Sequence, residues 1–296
     1  MRITYGMKIS DKKNKIMKIY ILGSNGMLGK YVSTYLNLNF NVVEINRGLL
    51  DASNINEITL QTLLTNLGID NTSVLINCIG TIKPRVDSLG DLNAILVNSV
   101  FPRILSNVCE NLECKLIHPT TDCVYSGTKG QYDENDKYDV NDVYGMSKAI
   151  GEPSNCTVIR TSIIGEEVNQ NRSLVEWVKS NKGKTINGYT NHYWNGVTCL
   201  QFAKVCEQII LKNNFWIGTK HIHSNTLNKK ELVDLISDIY GLNITVVPTN
   251  TPTKCDRSMA TIYNTNIEIP NLDTQISEMK NFSDILYNQP TIEKIV

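Results

Sequence analysis

A glycine-rich turn placed directly after an apolar strand constrains the fold of this chain more than any other feature. The segment Lys18–Leu22 is a short apolar run, and Gly23, Gly26 and Gly29 follow it before a helical pattern begins. A dinucleotide site needs small residues at these points, for a tight bend, for backbone approach to a pyrophosphate and for helix–strand packing. The unpaired N–H groups at the start of the helix also attract an anion. The turn therefore predicts a dinucleotide-binding unit near the start of the chain.

Strands and helices alternate over the first half of the chain, a pattern that is typical of a parallel sheet with helical crossovers. Apolar runs predict further strands at 41–45, 73–79, 115–118 and 156–160, and helices at 30–38, within 55–67, and at 94–112 and 143–151. The strands are almost continuously apolar, as expected when helices cover both faces of a sheet. We therefore predict an α/β fold: a Rossmann-like, doubly wound parallel sheet with a smaller C-terminal substrate-binding lobe.

The predicted organisation has three parts. Residues 1–16 are expected to be a flexible N-terminal extension, because they are polar and basic and have no apolar signal-peptide core. Residues 17–165 are predicted to be the NAD(P)-binding Rossmann domain. Residues 166–296 are predicted to be mostly the substrate-binding lobe, with 197–218 returning to the Rossmann domain and 181–195 rich in loops. This lobe should cover the carboxyl edge of the sheet, where open α/β sheets bind ligands.

The composition narrows the choice of function. Lys+Arg and Asp+Glu both number 29, and a net charge of zero argues against a protein that tracks nucleic-acid phosphates. No apolar run is expected to approach the roughly 18 residues that span a membrane. The eight cysteines form no C-x-x-C pair and no histidine lies at zinc-finger spacing, so we expect no metal site and reduced thiols in a cytoplasmic compartment. The oligomeric state stays open, with a homodimer among the options.

The residues predicted to hold the cofactor lie in the glycine turn and at the carboxyl ends of the next strands. They are Gly23, Asn25, Gly26, Met27 and Leu28 in the turn, Arg47 and Asp51 after the second strand, and Cys78 and Gly80 after the third. A guanidinium at position 47 suits the 2′-phosphate of NADPH, with NADH as the alternative cofactor. Asp51 is expected near the adenine amine.

A tyrosine and a lysine four residues apart predict the acid of the reaction. Tyr144 and Lys148 lie on one face of a predicted helix. A free phenol has a pKa of about 10, and a nearby ammonium lowers it toward neutrality. A hydroxyl must also hold the substrate oxygen, and Thr121 is the candidate because it follows the strand at 115–118. The three residues together indicate an enzyme that reduces a carbonyl with a nicotinamide.

At this point the chain resembles a known family. The glycine turn, the segment 121–127 (Thr-Asp-Cys-Val-Tyr-Ser-Gly) and the Tyr144-x-x-x-Lys148 helix are similar to those of the extended short-chain dehydrogenase/reductases. The closer similarity is to the dTDP-4-dehydrorhamnose reductase-like branch, which also has an Arg-Thr-Ser segment, here at 160–162. The resemblance extends over the aromatic-rich segment 188–198 and the segment 256–258 (Asp-Arg-Ser), and so covers nearly the whole chain from residue 17.

The resemblance implies the reduction of a nucleotide-sugar 4-ketone in deoxysugar and polysaccharide biosynthesis. Hydride passes from the nicotinamide to C4, Tyr144 protonates the carbonyl oxygen, and Lys148 both lowers the tyrosine pKa and holds the nicotinamide ribose. Thr121 and Asp122 lie at the sugar, and Arg257 pairs with the diphosphate. Trp194 either stacks on the base or sugar or covers the core. Asn98 is expected near the cofactor, on the long helix.

The resemblance leaves the sugar open between two types. One is a UDP- or dTDP-linked rhamnose-type 4-keto-6-deoxy sugar. The other is a UDP-linked 2-acetamido-2,6-dideoxy hexulose, which is favoured by Ile163 where many of the reductases have an aromatic residue.

Two alternatives to simple reduction remain. Cys123 stands two residues after Thr121, where the related GDP-fucose synthases place a cysteine that exchanges a proton beside the ketone. The chain is then a bifunctional 3- or 3,5-epimerase and 4-reductase, provided that the thiol has a depressed pKa. The other alternative is a non-catalytic, nucleotide-binding regulatory subunit, against which the complete set of Thr121, Tyr144 and Lys148 argues.

Overall fold

The structure of the protein, a computed structural model, describes residues 17–167 and 173–288. The extension predicted at 1–16 lies outside this range. The first half contains β1 (Lys18–Leu22), α1 (Met27–Leu36), β2 (Asn41–Ile45), α2 (Glu57–Asn66), β3 (Val74–Asn77), α3 (Lys83–Leu89), α4 (Asp91–Ile95), a π-helical turn (Leu96–Val100), α5 (Phe101–Asn111), β4 (Lys115–Thr120), α6 (Val143–Ile150) and β5 (Thr157–Arg160). The second half contains β6 (Ile163–Ile164), α7 (Leu174–Ser180), β7 (Thr185–Tyr189), β8 (His192–Trp194), β9 (Val197–Thr198), α8 (Cys199–Leu211), β10 (Gly218–His221), β11 (Leu227–Asn228), α9 (Lys229–Tyr240), β12 (Thr245–Thr249), β13 (Cys255–Asp256) and α10 (Leu272–Asn288).

The main sheet has six strands in the order β10-β5-β4-β3-β1-β2, and every neighbouring pair is parallel. This confirms the predicted Rossmann-like sheet. The strand order reverses on either side of β1, which has β2 on one side and β3 on the other. Doubly wound sheets bind ligands in the crevice that such a reversal opens at the carboxyl ends of the strands. The glycine turn after β1 begins at this crevice.

Alternating side chains of β1 enter two hydrophobic cores, one on each face of the sheet. Ile19 and Ile21 belong to the core that includes residues of α1 and α8, whereas Tyr20 and Leu22 belong to the core under α2 and α5. The alternation follows from the two-residue period of a strand. Because both faces are covered, β1 is apolar along nearly its whole length, which explains why its sequence shows no polar alternation.

One helix contradicts the expectation that no apolar segment is long enough to span a membrane. Asp91–Asn111, which joins α4, the π-helical turn and α5, is long and apolar enough to cross a bilayer by length and composition. In the fold, 56% of the most apolar 18-residue stretch of this helix is buried inside the protein. The helix contributes Val97, Phe101 and Leu105 to the core under the sheet, so its apolar character is that of a core helix.

The C-terminal lobe is built from short strands whose partners are distant in sequence. It contains a three-stranded sheet, β11-β8-β13, and a two-stranded sheet, β12-β7. The segment 181–195, expected to be rich in loops, contributes β7 and β8 to these sheets. Gly and Asn residues in this segment give it no strand-like sequence pattern. The strands form because they pair with distant segments, Leu227–Asn228 and later strands.

Candidate active site

The predicted catalytic residues meet at the carboxyl edge of the main sheet. Thr121 directly follows β4, and Tyr144 and Lys148 lie in the first and last turns of α6. The Lys148 ammonium donates a hydrogen bond of 3.4 Å to the backbone oxygen of Pro119 in β4. The Thr121 hydroxyl lies close enough to the Tyr144 phenol to lower its pKa. The fold therefore places the hydroxyl, the phenol and the ammonium side by side.

Gly145 allows α6 to pack directly on the turn that follows Thr121. A Cβ atom at this position would lie 2.3 Å from the backbone oxygen of Cys123, which is closer than any real contact. The helix begins at Asp142, whose carboxylate accepts a hydrogen bond of 2.9 Å from the Gly145 N–H. The cap and the missing side chain together fix the first turn, and with it the position of Tyr144.

The phenol of Tyr144 does not have the lowered pKa that the Tyr–Lys spacing predicts. Burial raises the pKa of Tyr144 above its ordinary value, and the nearby Cys123 and Asp122 raise it further. The Thr121 hydroxyl acts in the opposite direction but is outweighed. Lys148 is not among the groups that set the pKa of the phenol, so burial decides its direction. With this raised pKa the phenol is protonated at neutral pH.

Lys148 is buried, which makes its protonated form less favourable than in water. Burial lowers the pKa of Lys148 to about 8, and the carboxylate of Glu152 opposes this shift. The ammonium lies beside Gly80, where a Cβ atom would be 3.8 Å from the lysine Nζ. Lys148 therefore borders the loop after β3, the place expected for the nicotinamide ribose.

Asn98, expected near the cofactor, uses its side-chain amide to form hydrogen bonds with two other segments of the protein. Its oxygen accepts from the Thr81 N–H at 2.9 Å, and its nitrogen donates to the Thr81 carbonyl and to the Ser147 hydroxyl. Asn98 therefore joins the loop after Gly80 to the helix that carries Lys148. Its role in this geometry is to position the pocket walls, because its amide protons are already engaged.

The thiol of Cys123 has a raised pKa, whereas an epimerase needs a thiol with a lowered pKa. Burial raises the pKa of Cys123 to about 12, and Asp122 raises it as well, while Arg257 lowers it. A thiol with this pKa is almost wholly protonated at neutral pH and is a poor base. All eight cysteines of the chain are free.

The glycine turn fits a dinucleotide pyrophosphate. Gly26 precedes α1 without a side-chain cap, and the first turn carries no acidic residue. In the described part of the chain, the N–H groups of Met27 and Leu28 meet no hydrogen-bond acceptor, so they can receive an anion. A Cβ atom at Gly29 would lie 2.1 Å from the Gly23 oxygen, so only glycine permits this close return of the helix.

The other predicted cofactor residues line the edges of this crevice. Arg47 is 68% exposed after β2 and forms an ion pair of 3.2 Å with Asp51. The Asp51 carboxylate also accepts from Ser53, which holds its pKa below the ordinary value. Asn25 is exposed in the turn, and the Cys78 N–H donates to the Leu22 oxygen at 2.8 Å. The exposed guanidinium is the cation available to a phosphate at this edge.

Arg257 and Asp122, the two residues predicted to bind substrate, lie at the turn that follows Thr121, here called the catalytic turn. The Arg257 Nε donates to the Tyr125 carbonyl at 2.9 Å, which brings the guanidinium next to Cys123 and Asp122. Asp122 is buried and accepts a hydrogen bond of 3.1 Å from the Thr121 hydroxyl. Asp122 therefore orients Thr121, and Arg257 is the more accessible of the two side chains.

Trp194 is a core residue of the C-terminal lobe, in line with the second of the two roles considered for it. It is only 4% exposed and belongs to the hydrophobic core of the C-terminal lobe. Ile163, the residue used above to choose between the two types of sugar, is partly buried and packs against the same core. The aromatic-rich segment therefore contributes Trp194 to packing, because β8 runs between two partner strands.

Lys229 is a residue of the site that the sequence did not reveal. It is the first residue of α9, and its ammonium lies 5.4 Å from the centre of the Trp194 ring. Burial lowers the pKa of Lys229, whereas Asp122 and Cys123 raise it, so the ammonium lies near the catalytic turn. The sequence does mark the helix start, since Asn228 and Glu231 form a capping box. No local pattern indicates that this helix begins beside the active site.

Comparison with known families gives one clear match. The family described as "RmlD substrate binding domain" matches residues 17–255. A "dTDP-4-keto-6-deoxy-D-glucose reductase" of Streptomyces niveus is 28% identical over 151 residues, which are 48% of this chain and 51% of that protein. The matched segment thus spans about half the length of that relative. The "Probable low-salt glycan biosynthesis reductase Agl14" of Haloferax volcanii is 22% identical over 94% of this chain and 95% of its own length.

Solved structures share the fold. A dTDP-4-dehydrorhamnose reductase from Bacillus anthracis, in complex with NADP, has a TM-score of 0.75 at 18% identity and covers 89% of this chain and 98% of its own. The dTDP-4-dehydrorhamnose reductase from Yersinia enterocolitica has a TM-score of 0.74 at 18% identity, over 92% of this chain and 99% of its own.

Proposed function

Because the chain belongs to the family of the RmlD substrate binding domain, we propose that it is an NADPH-dependent oxidoreductase that reduces the C4 ketone of a 4-keto-6-deoxy nucleotide sugar. One observation carries the proposal: Thr121, Tyr144 and Lys148 converge at the carboxyl edge of the sheet. The cofactor class is supported by the free N–H groups at the start of α1 and by the NADP bound to the related Bacillus anthracis protein. The two reductase relatives support the reaction class.

The residues divide the reaction between them. A bound NADPH supplies the hydride, which adds to C4 and becomes a C–H bond of the product. Tyr144 donates its phenolic proton to the carbonyl oxygen, which becomes the new hydroxyl. Thr121 binds that oxygen by turning its hydroxyl proton from Asp122 to the substrate. Lys148, beside Gly80, holds the ribose and supplies positive charge as the phenol loses its proton.

The raised pKa of Tyr144 is consistent with a donor role. A phenol with a raised pKa is protonated at neutral pH and so carries the proton that the ketone needs, and Lys148 then stabilises the phenolate that forms. The epimerase alternative loses support, because the pKa of Cys123 is raised to about 12. A purely regulatory role would not require the hydroxyl, the phenol and the ammonium to meet.

The test is the oxidation of NADPH in the presence of freshly generated 4-keto-6-deoxy nucleotide sugars. The panel contains UDP- and dTDP-linked sugars, each with and without the 2-acetamido group. We expect turnover with at least one member, and the preferred member identifies the sugar. Failure of every member, with NADPH still bound, would favour the non-catalytic regulatory subunit.

A further inference from the structure

Two cations lie on either side of strand β8, close to the catalytic turn. Lys229 follows β11, and Arg257 follows β13. The residues just before them, Asn228 and Asp256, both pair with Tyr193 of β8. Since neighbouring strands are about 4.8 Å apart, the two chain segments run about 10 Å from each other. The small sheet thus holds two positive side chains at the edge of the site.

The ammonium of Lys229 is held by an aromatic ring and by no carboxylate. It lies 5.4 Å from the centre of the Trp194 indole, within the range of a cation–π interaction. Over residues 17–167 and 173–288 it makes no hydrogen bond or ion pair. Trp194 is packed in the core of the lobe, so the cation–π contact ties the ammonium of a long side chain to a core residue.

Arg257 is also oriented without being neutralised. Its Nε donates to the Tyr125 carbonyl, which leaves the two terminal nitrogens of the guanidinium without a partner among the described residues. A guanidinium held in this way presents its remaining donors as a fork, the geometry that suits phosphate oxygens.

The charges around the pair do not balance. Asp122 and Asp142 are the carboxylates that act on Arg257, and Asp142 is already paired with Lys83 at 2.9 Å. Asp122 is buried and accepts the hydrogen bond of Thr121. Asp122 is thus the carboxylate that acts on both positive groups, and it already accepts a hydrogen bond. Like charges this close raise each other's energy, and a bound anion relieves the repulsion.

We propose that Lys229, held over the Trp194 ring, is a substrate-binding residue that acts with Arg257 on the diphosphate of the nucleotide sugar. This inference rests on the proposed function for the identity of the anion. It gives Trp194 a different task from the base stacking considered for it: the ring positions a cation. It also gives the first residue of α9 a function that its sequence does not indicate.

The test measures the binding of UDP and dTDP, and of uridine and thymidine, by calorimetry with the protein saturated with NADPH. Saturation keeps the nucleotides out of the cofactor site. Lys229→Met should weaken the nucleoside diphosphates about tenfold or more and leave the nucleosides unchanged, because only the former carry the anion. Lys229→Arg should restore most of the affinity. Lys230→Met is the matched control, since Lys230 lies on the same helix and is paired with Asp234 at 2.6 Å.

Trp194→Phe keeps a smaller ring under the ammonium, so it should weaken the nucleoside diphosphates by less than Lys229→Met does. If Lys229→Met weakens the binding of uridine as much as that of UDP, or weakens neither, the inference is overturned.

The experiment also separates the inference from the proposed function. If the wild type reduces a 4-keto sugar and Lys229→Met binds UDP and dTDP as the wild type does, only the inference is rejected. Loss of diphosphate affinity in Lys229→Met, with no 4-keto sugar reduced by the wild type, would reject the proposed function alone. In turnover, Lys229→Met should raise KM more than it lowers kcat.

Discussion

The predicted cofactor side of this protein, around β1, and its proposed substrate side, around β8, are built in different ways. On the cofactor side, β1, the glycine turn and α1 lie within one continuous segment, 18–36. On the substrate side, strands of two or three residues meet from separate parts of the chain: His192–Trp194, Leu227–Asn228 and Cys255–Asp256. The first site is assembled by local sequence, and the second by the register of a small sheet.

The difference has a consequence for the effects of substitutions. A change at an exposed position of the glycine turn, such as Asn25, should alter cofactor binding alone. On the substrate side, a single residue such as Trp194 both packs the lobe core and supports Lys229. Packing and binding are therefore coupled there, and matched controls are needed to separate them.

The largest expected effect falls between the two sides, at the proton donor. Tyr144→Phe should lower kcat by about two to four orders of magnitude, because the carbonyl oxygen loses its acid. The affinity for NADPH should stay close to that of the wild type, because the substitution removes a single hydroxyl and leaves the glycine turn intact. Steady-state kinetics and NADPH titration measure the two quantities, and Tyr263→Phe, at an exposed tyrosine, is the control. Near-normal turnover in Tyr144→Phe would show that another group delivers the proton.

The next effect concerns the charge of Lys148. Its pKa is lowered to about 8, so kcat/KM should fall as the pH rises above that value, by about tenfold for each further pH unit at the limit. The reason is that the neutral amine no longer stabilises the phenolate. A rate profile that stays flat well beyond this pH would contradict a requirement for the ammonium.

Stability gives an independent measure of the same group. Between about 8 and the ordinary value of 10.5, the unfolded chain binds the Lys148 proton and the folded chain does not. The free energy of unfolding contributed by this group therefore rises with pH across that window, by about 3 kcal/mol in all. Relative to wild type, Lys148→Met should lack this rise in a comparison of chemical denaturation curves.

A smaller effect is expected at the edge of the cofactor site. Arg47→Ala removes the exposed guanidinium and should weaken NADPH about tenfold while leaving NADH unchanged, because only NADPH has the 2′-phosphate. Binding is measured for both cofactors, with Lys182→Ala, at an exposed lysine of the C-terminal lobe, as a control for the loss of surface charge. Equal losses for both cofactors would indicate that Arg47 does not recognise the phosphate.

The smallest effect is expected for Cys123→Ser. Because the thiol is protonated, the variant should reduce the ketone within about twofold of the wild-type rate. In deuterated water, neither protein should incorporate deuterium at C3 or C5 of the sugar. Incorporation by the wild type that is lost in Cys123→Ser would restore the epimerase alternative.

The sequence predicted the elements that depend on local patterns. The strands of the main sheet from β1 to β5, the glycine turn and the helix that carries Tyr144 and Lys148 all appear where apolar runs and spacing placed them. It missed α3 and β10, and it took β7 and β8 for loops. A strand of three residues such as His192–Trp194 has too little sequence to show a period, and only its distant partners make it a strand.

The sequence by itself determined the sheet, the pyrophosphate turn and the spacing of the phenol and the ammonium, since each depends on residues close together in the chain. Only the tertiary structure decided the chemical state of these groups. Burial raises the pKa of Tyr144 and Cys123 and lowers that of Lys148, and burial is a property of the packed molecule. The tertiary structure alone also placed Lys229 and Arg257 around β8, because the register of distant strands sets which side chains meet.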